Sequence, residues 1–273
     1  MTDFVESADG TRIAYDLDGE GPAVILVAGA IQFRAFDPGT ARLARALASE
    51  GHTVVTYDRR GRGESTDAPT YAVEREVEDI AALLEVTGGG AALFGNCSGG
   101  VLALWAAAAG LPVTRLAVWE PPLAPEGQRG ACDDLRTLQR LWAAGDRAGM
   151  VEHFLRDMPE DWLDEARRGP AWPIYLEVAH TLVYDSAVVE RAGHAPWAQQ
   201  WAGVSQPTLV LVGESTVPSM PPIAEALVRA LPNATAATLP GRAHRWSAEV
   251  MAERLGRFLS STPAPSQAFE ALR

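Results

Sequence analysis

The sequence predicts an α/β fold, and three observations carry the prediction. Short continuous apolar runs, such as 23–27 and 91–94, alternate along the chain with stretches of helical period, the pattern of strands buried on both faces of a sheet. One of these runs breaks at Gly95, passes through Asn96, Cys97, Ser98 and Gly99, and enters a helix of small residues at 101–109. The alternation then stops between residues 123 and 203, where helical patterns follow one another without a strand.

Taken in order, residues 3–17 alternate weakly around Asp9-Gly10, a hairpin signal between two short strands. The run 23–27 is a central strand that ends at Ala28-Gly29-Ala30-Ile31. A helix is expected over 41–49 and a buried strand over 52–57. That strand leads into Asp58-Arg59-Arg60-Gly61-Arg62-Gly63-Glu64-Ser65, read here as loop scaffolding rather than chemistry. An amphipathic helix covers 73–84 and stops at Thr87 and the three glycines after it. The junction strand and helix follow, and then a sixth strand over 113–119 that closes on Glu120-Pro121-Pro122. A carboxylate at the C-terminal end of a parallel strand faces the same sheet edge as Cys97.

Residues 123–203 hold helical patterns at 133–144, 148–157 and 161–168, and five of the eight tryptophans, Trp142, Trp162, Trp172, Trp197 and Trp201. A seventh strand over 206–213 restores the sheet, followed by Glu214, Ser215 and Thr216. A helix over 221–231, an eighth strand over 235–239 and a loop carrying His244 complete the ordered chain. The residues from 262 onward are expected to be a disordered tail. The expected organisation is a core of residues 1–122 and 204–261 with a helical segment over 123–203.

The bulk properties exclude several function classes. With 273 residues the chain suits one α/β domain with an insertion, and its 47% apolar and 21% charged residues are those of an ordinary globular protein. A net charge of −12 with no basic stripe argues against nucleic acid as partner. No run of about 18 apolar residues exists to span a membrane, and the first residues lack a signal-peptide pattern, so a cytoplasmic protein is expected. Cys97 and Cys132 offer neither metal-ligand spacing nor a disulfide framework; no cofactor or metal is expected, and Cys132 is assigned a packing role.

The junction Gly95-Asn96-Cys97-Ser98-Gly99 resembles the nucleophile elbow G-x-S-x-G of the α/β-hydrolase superfamily, with Cys97 where that family carries serine. The resemblance runs from about Ala23 to Leu259. It implies a mostly parallel eight-stranded sheet flanked by helices, with a helical lid inserted after the sixth strand. It implies catalytic roles for Cys97, His244 and Glu120, the last lying 23 positions beyond the cysteine. Many relatives place the acid after the seventh strand, where this chain has Thr216; that departure favours Glu120, with Glu214 as the weaker substitute. The backbone N–H groups of Ala30 and Ser98 take the place of the oxyanion hole, and the family's usual histidine before the glycine is replaced by Ala28. Gly29, Ile31, Trp172 and Trp197 are the expected substrate-binding residues. His52, His153, His180 and His194 fit the catalytic position worse than His244.

A cysteine nucleophile restricts the substrate. Forming a thioester from an ordinary alkyl ester is uphill, whereas exchange from a thioester is balanced and opening of a strained lactone or enol ester is downhill. A thiol of ordinary pKa about 8.5, lowered by a helix N-terminus and a histidine, is also available as thiolate near neutral pH. The expected substrate is therefore an activated, largely apolar acyl compound, hydrolysed through a thioacyl-enzyme. The alternatives are an acyltransferase or cyclase that resolves the same intermediate with an amine or alcohol, a non-covalent lyase or isomerase using His244, and a non-catalytic ligand receptor.

Overall fold

A computed structural model describes residues 2–124, 130–156, 158, 160–242 and 244–261, the side chains of 130–133 and 160 excepted. The expected tail and the side chain of Cys132 thus lie outside the described residues. The chain builds β1 (Asp3–Glu6), β2 (Arg12–Asp18), β3 (Ala23–Val27), α1 (Pro38–Ser49), β4 (Thr53–Tyr57), α2 (Val73–Val86), β5 (Ala91–Asn96), α3 (Ser98–Ala108) and β6 (Val113–Trp119). Then come α4 (Gly130–Ala143), α5 (Arg147–Leu155), α6 (Glu160–Arg168), α7 (Trp172–Val178), a single 3-10 turn (Ala179–Thr181), α8 (Leu182–Arg191) and α9 (Trp197–Gln200). The chain returns to the sheet with β7 (Thr208–Ser215), α10 (Met220–Ala230), β8 (Ala234–Arg242), β9 (Arg245–Trp246) and α11 (Ala248–Ser260).

These strands form one mixed sheet of nine, in the order β1-β2-β4-β3-β5-β6-β7-β8-β9. The pairs from β4 through β8 are parallel, while β1–β2, β2–β4 and β8–β9 are antiparallel. The expected count of eight falls one short because β9 has only two residues, too few to show a period in sequence. It pairs Arg242 with Arg245, so the tight connection between β8 and β9 carries His244.

Strand periodicity divides the core between two faces. Ile25 and Val27 of β3, Leu93 of β5 and Val210 and Val212 of β7 pack with α2, α3 and α10. Their alternates Val24, Leu26, Phe94, Leu209 and Leu211 pack beneath Leu43 and Leu47 of α1 and Met251 and Leu255 of α11. Side chains that alternate in this way are the signature of strands buried on both faces. Helix α1 starts three residues before the expected 41 because Asp37 caps it, accepting from the N–H groups of Gly39 and Thr40, with Pro38 in the first turn.

The segment between β6 and β7 contains more helix than its periodicity reveals. α7 and α9, at seven and four residues, are too short to show a period, and α8 buries Asp185 beside Leu182 and Val188. Its own cluster of Leu138, Met150, Val151, Leu155, Val178 and Leu182 closes over Ile31, which the loop after β3 contributes.

Candidate active site

The C-terminal edge of the parallel strands is where the backbone is strained. Among the described residues, the non-glycine residues with positive φ are Ile31 (66°), Cys97 (55°), Glu120 (41°) and His244 (70°). They follow β3, β5, β6 and β8, and each costs of order 1 kcal/mol or more in such a conformation. Strain of this kind, at four strand ends sharing one edge, marks a built site.

Glycines make the Cys97 turn possible. A Cβ on Gly95 would stand 2.4 Å from the Cα of Gly100, and one on Gly99 would stand 2.3 Å from the Val27 carbonyl oxygen. No other residue fits at either position, so α3 can start against the end of β3 and β5. Cys97 donates its N–H to the Trp119 carbonyl at 2.9 Å, which ties the turn to β6. Its side chain stands at the N-terminus of α3, where the helix dipole favours negative charge.

His244 and Glu120 meet across this edge. His244 Nδ1 lies 2.5 Å from Glu120 Oε2. A carboxylate only accepts, so Nδ1 carries the proton. The other oxygen, Oε1, accepts the Gly213 N–H at 2.8 Å, and the carboxylate is fully buried. Burial pushes the Glu120 carboxyl up, but the contacts with His244, the Thr216 hydroxyl and the Gly213 N–H bring it below the usual range. Glu214 is exposed, while Thr216 stands beside Glu120.

The far ring nitrogen, Nε2, is buried, makes no hydrogen bond of its own and shares a cavity wall with Cys97. Burial pulls the imidazolium down, but a Cys97 thiolate and the Glu120 carboxylate outweigh it, and His244 is pushed up to about 10. Negative charge beside the ring thus favours the imidazolium over the neutral imidazole.

Two cavities meet at Cys97, Ala30 and His244. One, of about 590 Å³, is walled mainly by apolar residues such as Leu138, Leu182, Val189 and Met220. The other, of about 410 Å³, runs under Ile31, Trp162, Tyr175 and Trp246, with Arg245 and Glu165 at its wall. Phe154 and Met158 line both.

The arginine-rich loop after β4 supports the site from below. Arg59, Arg60 and Arg62 are each 1% exposed. Arg59 forks onto Glu76 (2.6 and 2.7 Å) and Arg60 onto Asp79 (2.8 and 2.7 Å). Each is a bidentate pair of the kind whose breakage, by leaving one charge unpaired, costs about 3–5 kcal/mol.

The expected substrate-binding residues divide. Ile31 lines the smaller cavity. Gly29 faces Cys97 only as backbone: its N–H goes to Gln32 Oε1 at 2.7 Å, and a Cβ there would press on the Cys97 Cβ at 2.9 Å. Trp172 packs in the cluster of the helical segment. Trp197 is 2% exposed and packs against Trp201 with the rings tilted by 42° in the main core, away from both cavities. Aromatic content alone carried no direction for either ring. The cavity is walled instead by Phe154, Met158, Trp162, Tyr175, Arg245 and Trp246. Of these, Arg245 and Trp246 were legible as neighbours of His244.

A sequence profile of the Alpha/beta hydrolase family matches residues 24–256. An alpha/beta hydrolase from Sphaerobacter thermophilus DSM 20745 is 42% identical in sequence, with 94% of this chain and 100% of that chain superposed at a TM-score of 0.85. The enol-lactonase from Burkholderia xenovorans LB400 superposes over 95% of this chain and 100% of its own at a TM-score of 0.71; at 19% identity the likeness is one of fold. Among curated proteins, the uncharacterized hydrolase YraK of Bacillus subtilis (strain 168) is 38% identical over 103 residues, and the match spans 35% of each chain.

Proposed function

We propose, on the premise that this chain belongs to the alpha/beta hydrolase family, that it is a cysteine-dependent hydrolase of activated acyl compounds: thioesters, lactones or enol esters. One observation carries the reading. A thiol at a left-handed strand-to-helix turn shares its cavity with an imidazole whose other nitrogen is bound to a buried carboxylate.

In this mechanism Cys97 and His244 stand as thiolate and imidazolium. The sulfur attacks the acyl carbonyl; a C–S bond forms while the carbonyl electron pair moves to oxygen, where the N–H groups of Ala30 and Ser98 receive it. Collapse of this intermediate breaks the bond to the leaving group, which departs with the proton of His244 Nε2. Water then gives a proton to Nε2 and attacks the thioester, and Cys97 leaves as thiolate. Glu120 stays ionised throughout and holds the imidazole orientation. The helices between β6 and β7 act as a lid whose apolar wall receives a largely apolar acyl group.

Intact-protein mass spectrometry tests this reading. Wild type, Cys97→Ala and His244→Ala are exposed briefly to a panel of acyl thioesters and activated lactones. The expected result is an acyl mass increment on wild type that is absent from Cys97→Ala and decays in water. Labelling that survives in Cys97→Ala, or a wild type that no donor labels, overturns it. Decay that requires an added amine would make the enzyme an acyltransferase through the same intermediate.

A further inference from the structure

We infer that Asp185 of α8 is a positioning residue that sets both oxyanion-binding N–H groups through Arg59, Arg62 and Ser98; the inference rests on the acyl-transfer reading above.

The geometry runs through one buried carboxylate. Asp185 Oδ2 lies 2.5 Å from Arg62 Nη2, and Oδ1 lies 2.6 Å from Arg59 Nη1. Each arginine also grips the loop after β3. Arg62 Nη1 donates to the Gly29 carbonyl at 2.6 Å, and Arg59 Nη1 to the Ala28 carbonyl at 3.2 Å. In a trans peptide the C=O of one residue and the N–H of the next point in opposite directions. With the Gly29 carbonyl held on Arg62, the Ala30 N–H is turned away from the arginine, and Ala30 lines both cavities that meet at Cys97.

The second donor is held by the same group. The Ser98 hydroxyl donates to Asp185 Oδ1 at 2.7 Å. Ser98 opens α3, so its own N–H belongs to the first turn, which has no acceptor within the helix.

Charge makes the arrangement depend on Asp185. The two guanidiniums are 1% exposed, and Glu76 neutralises only Arg59 directly. Removing the Asp185 charge leaves Arg62 buried beside Arg59 with Thr181 and backbone carbonyls as its remaining partners. The Gly29–Ala30 peptide plane is then held only by an Arg62 that has lost its own anchor and by the Gln32 N–H at 3.4 Å from the Gly29 carbonyl. Helix α8 is itself seated on the core: Trp105 Nε1 donates to the Val188 carbonyl at 3.2 Å, and the Tyr71 hydroxyl to the Tyr184 carbonyl at 3.2 Å.

Two reactions of Cys97 separate this role from a general one. Alkylation by iodoacetamide needs the thiolate but no oxyanion site, whereas acylation by p-nitrophenyl acetate needs both. In Asp185→Asn, acylation is expected to fall about 10²-fold, through kcat with KM within about two-fold, while alkylation stays within about two-fold. Arg62→Lys keeps the charge but has a single nitrogen for Asp185, Thr181 and the Gly29 and Gln32 carbonyls, and is expected to show the same selective loss at about 10-fold. Circular dichroism melts establish which variants fold, and Arg62→Lys decides the matter if Asp185→Asn does not. Acylation at the wild-type rate, or parallel loss of both reactions in a folded variant, overturns the inference. A wild type that iodoacetamide alkylates at Cys97 but the ester never acylates removes the acyl-transfer reading itself, and this inference with it.

Discussion

His244 Nδ1 and Glu120 Oε2 stand 2.5 Å apart, although they belong to different strand ends and each holds a left-handed backbone conformation, φ 70° and 41°. The fold thus maintains strain at two positions to keep one contact, as is expected when the contact serves chemistry rather than stability.

Glu120→Gln tests that contact. The amide keeps the shape and can still accept the Gly213 N–H, but it offers an N–H to Nδ1 and so favours the wrong tautomer. Hydrolysis of p-nitrophenyl acetate is expected to fall about 10²–10⁴-fold with little change in melting temperature. Steady-state kinetics beside a thermal melt read both quantities.

The pH dependence of stability has a definite sign. His244 is raised from 6.5 to about 10 in the folded chain. A group with a raised folded pKa stabilises fully below its unfolded value and loses that contribution as pH rises through the folded one. The melting temperature of wild type should therefore exceed that of His244→Ala most below about pH 6.5, with the gap closing as pH approaches 10. Below this window the gap narrows again as Glu120, whose pKa is lowered, takes up its proton. Parallel melts of the two proteins across pH measure the gap.

Gly99→Ala should not fold normally. The new Cβ would stand 2.3 Å from the Val27 oxygen and 2.5 Å from the Ala28 oxygen, and backbone atoms cannot swing aside as a side chain does. The expected loss is about 3 kcal/mol or more, measured by urea denaturation.

Trp197→Ala and Phe154→Ala should part in opposite directions. Trp197 is a buried core ring, and its truncation should cost about 3–5 kcal/mol while leaving KM for acyl probes unchanged. Phe154 lines both cavities, and its truncation should widen the range of acyl chain lengths accepted at small cost in stability. A series of p-nitrophenyl esters of increasing chain length, with melts of both variants, separates the two.

The legible parts of this molecule are those where residue identity dictates geometry. Gly95 and Gly99 announce a turn that tolerates no Cβ, and the continuous apolar runs announce strands buried on both faces. Glu120 is legible as a carboxylate at a strand end and His244 through the resemblance to the family's last loop, and the fold brings the two together at one edge. The start of α1 was also written in the chain, as Asp37 before Pro38, but read three residues late. Asp185 was not legible. A lone carboxylate inside a weakly amphipathic helix reads as solvent-facing, and only the folded chain brings it to arginines more than a hundred positions away. The two arginines were read as scaffolding without the carboxylate that makes them one unit. Trp197 shows the converse error, because a large ring earns burial against any apolar surface and its sequence neighbourhood does not say which.

The arginine loop also fixes where this chain can be cut and recombined. The boundaries suggested by the break in strand-helix alternation, 123 and 203, would exchange α8 together with the other helices. A transplant made at those points would carry away Asp185 and strand Arg59 and Arg62 inside a foreign interface. The exchangeable module ends before Ala179, because Thr181 also holds Arg62, and α8 stays with the core. Diversification of what this scaffold accepts is thereby confined to α4–α7, whose replacement leaves the carbonyls of Ala28 and Gly29 tied where they are.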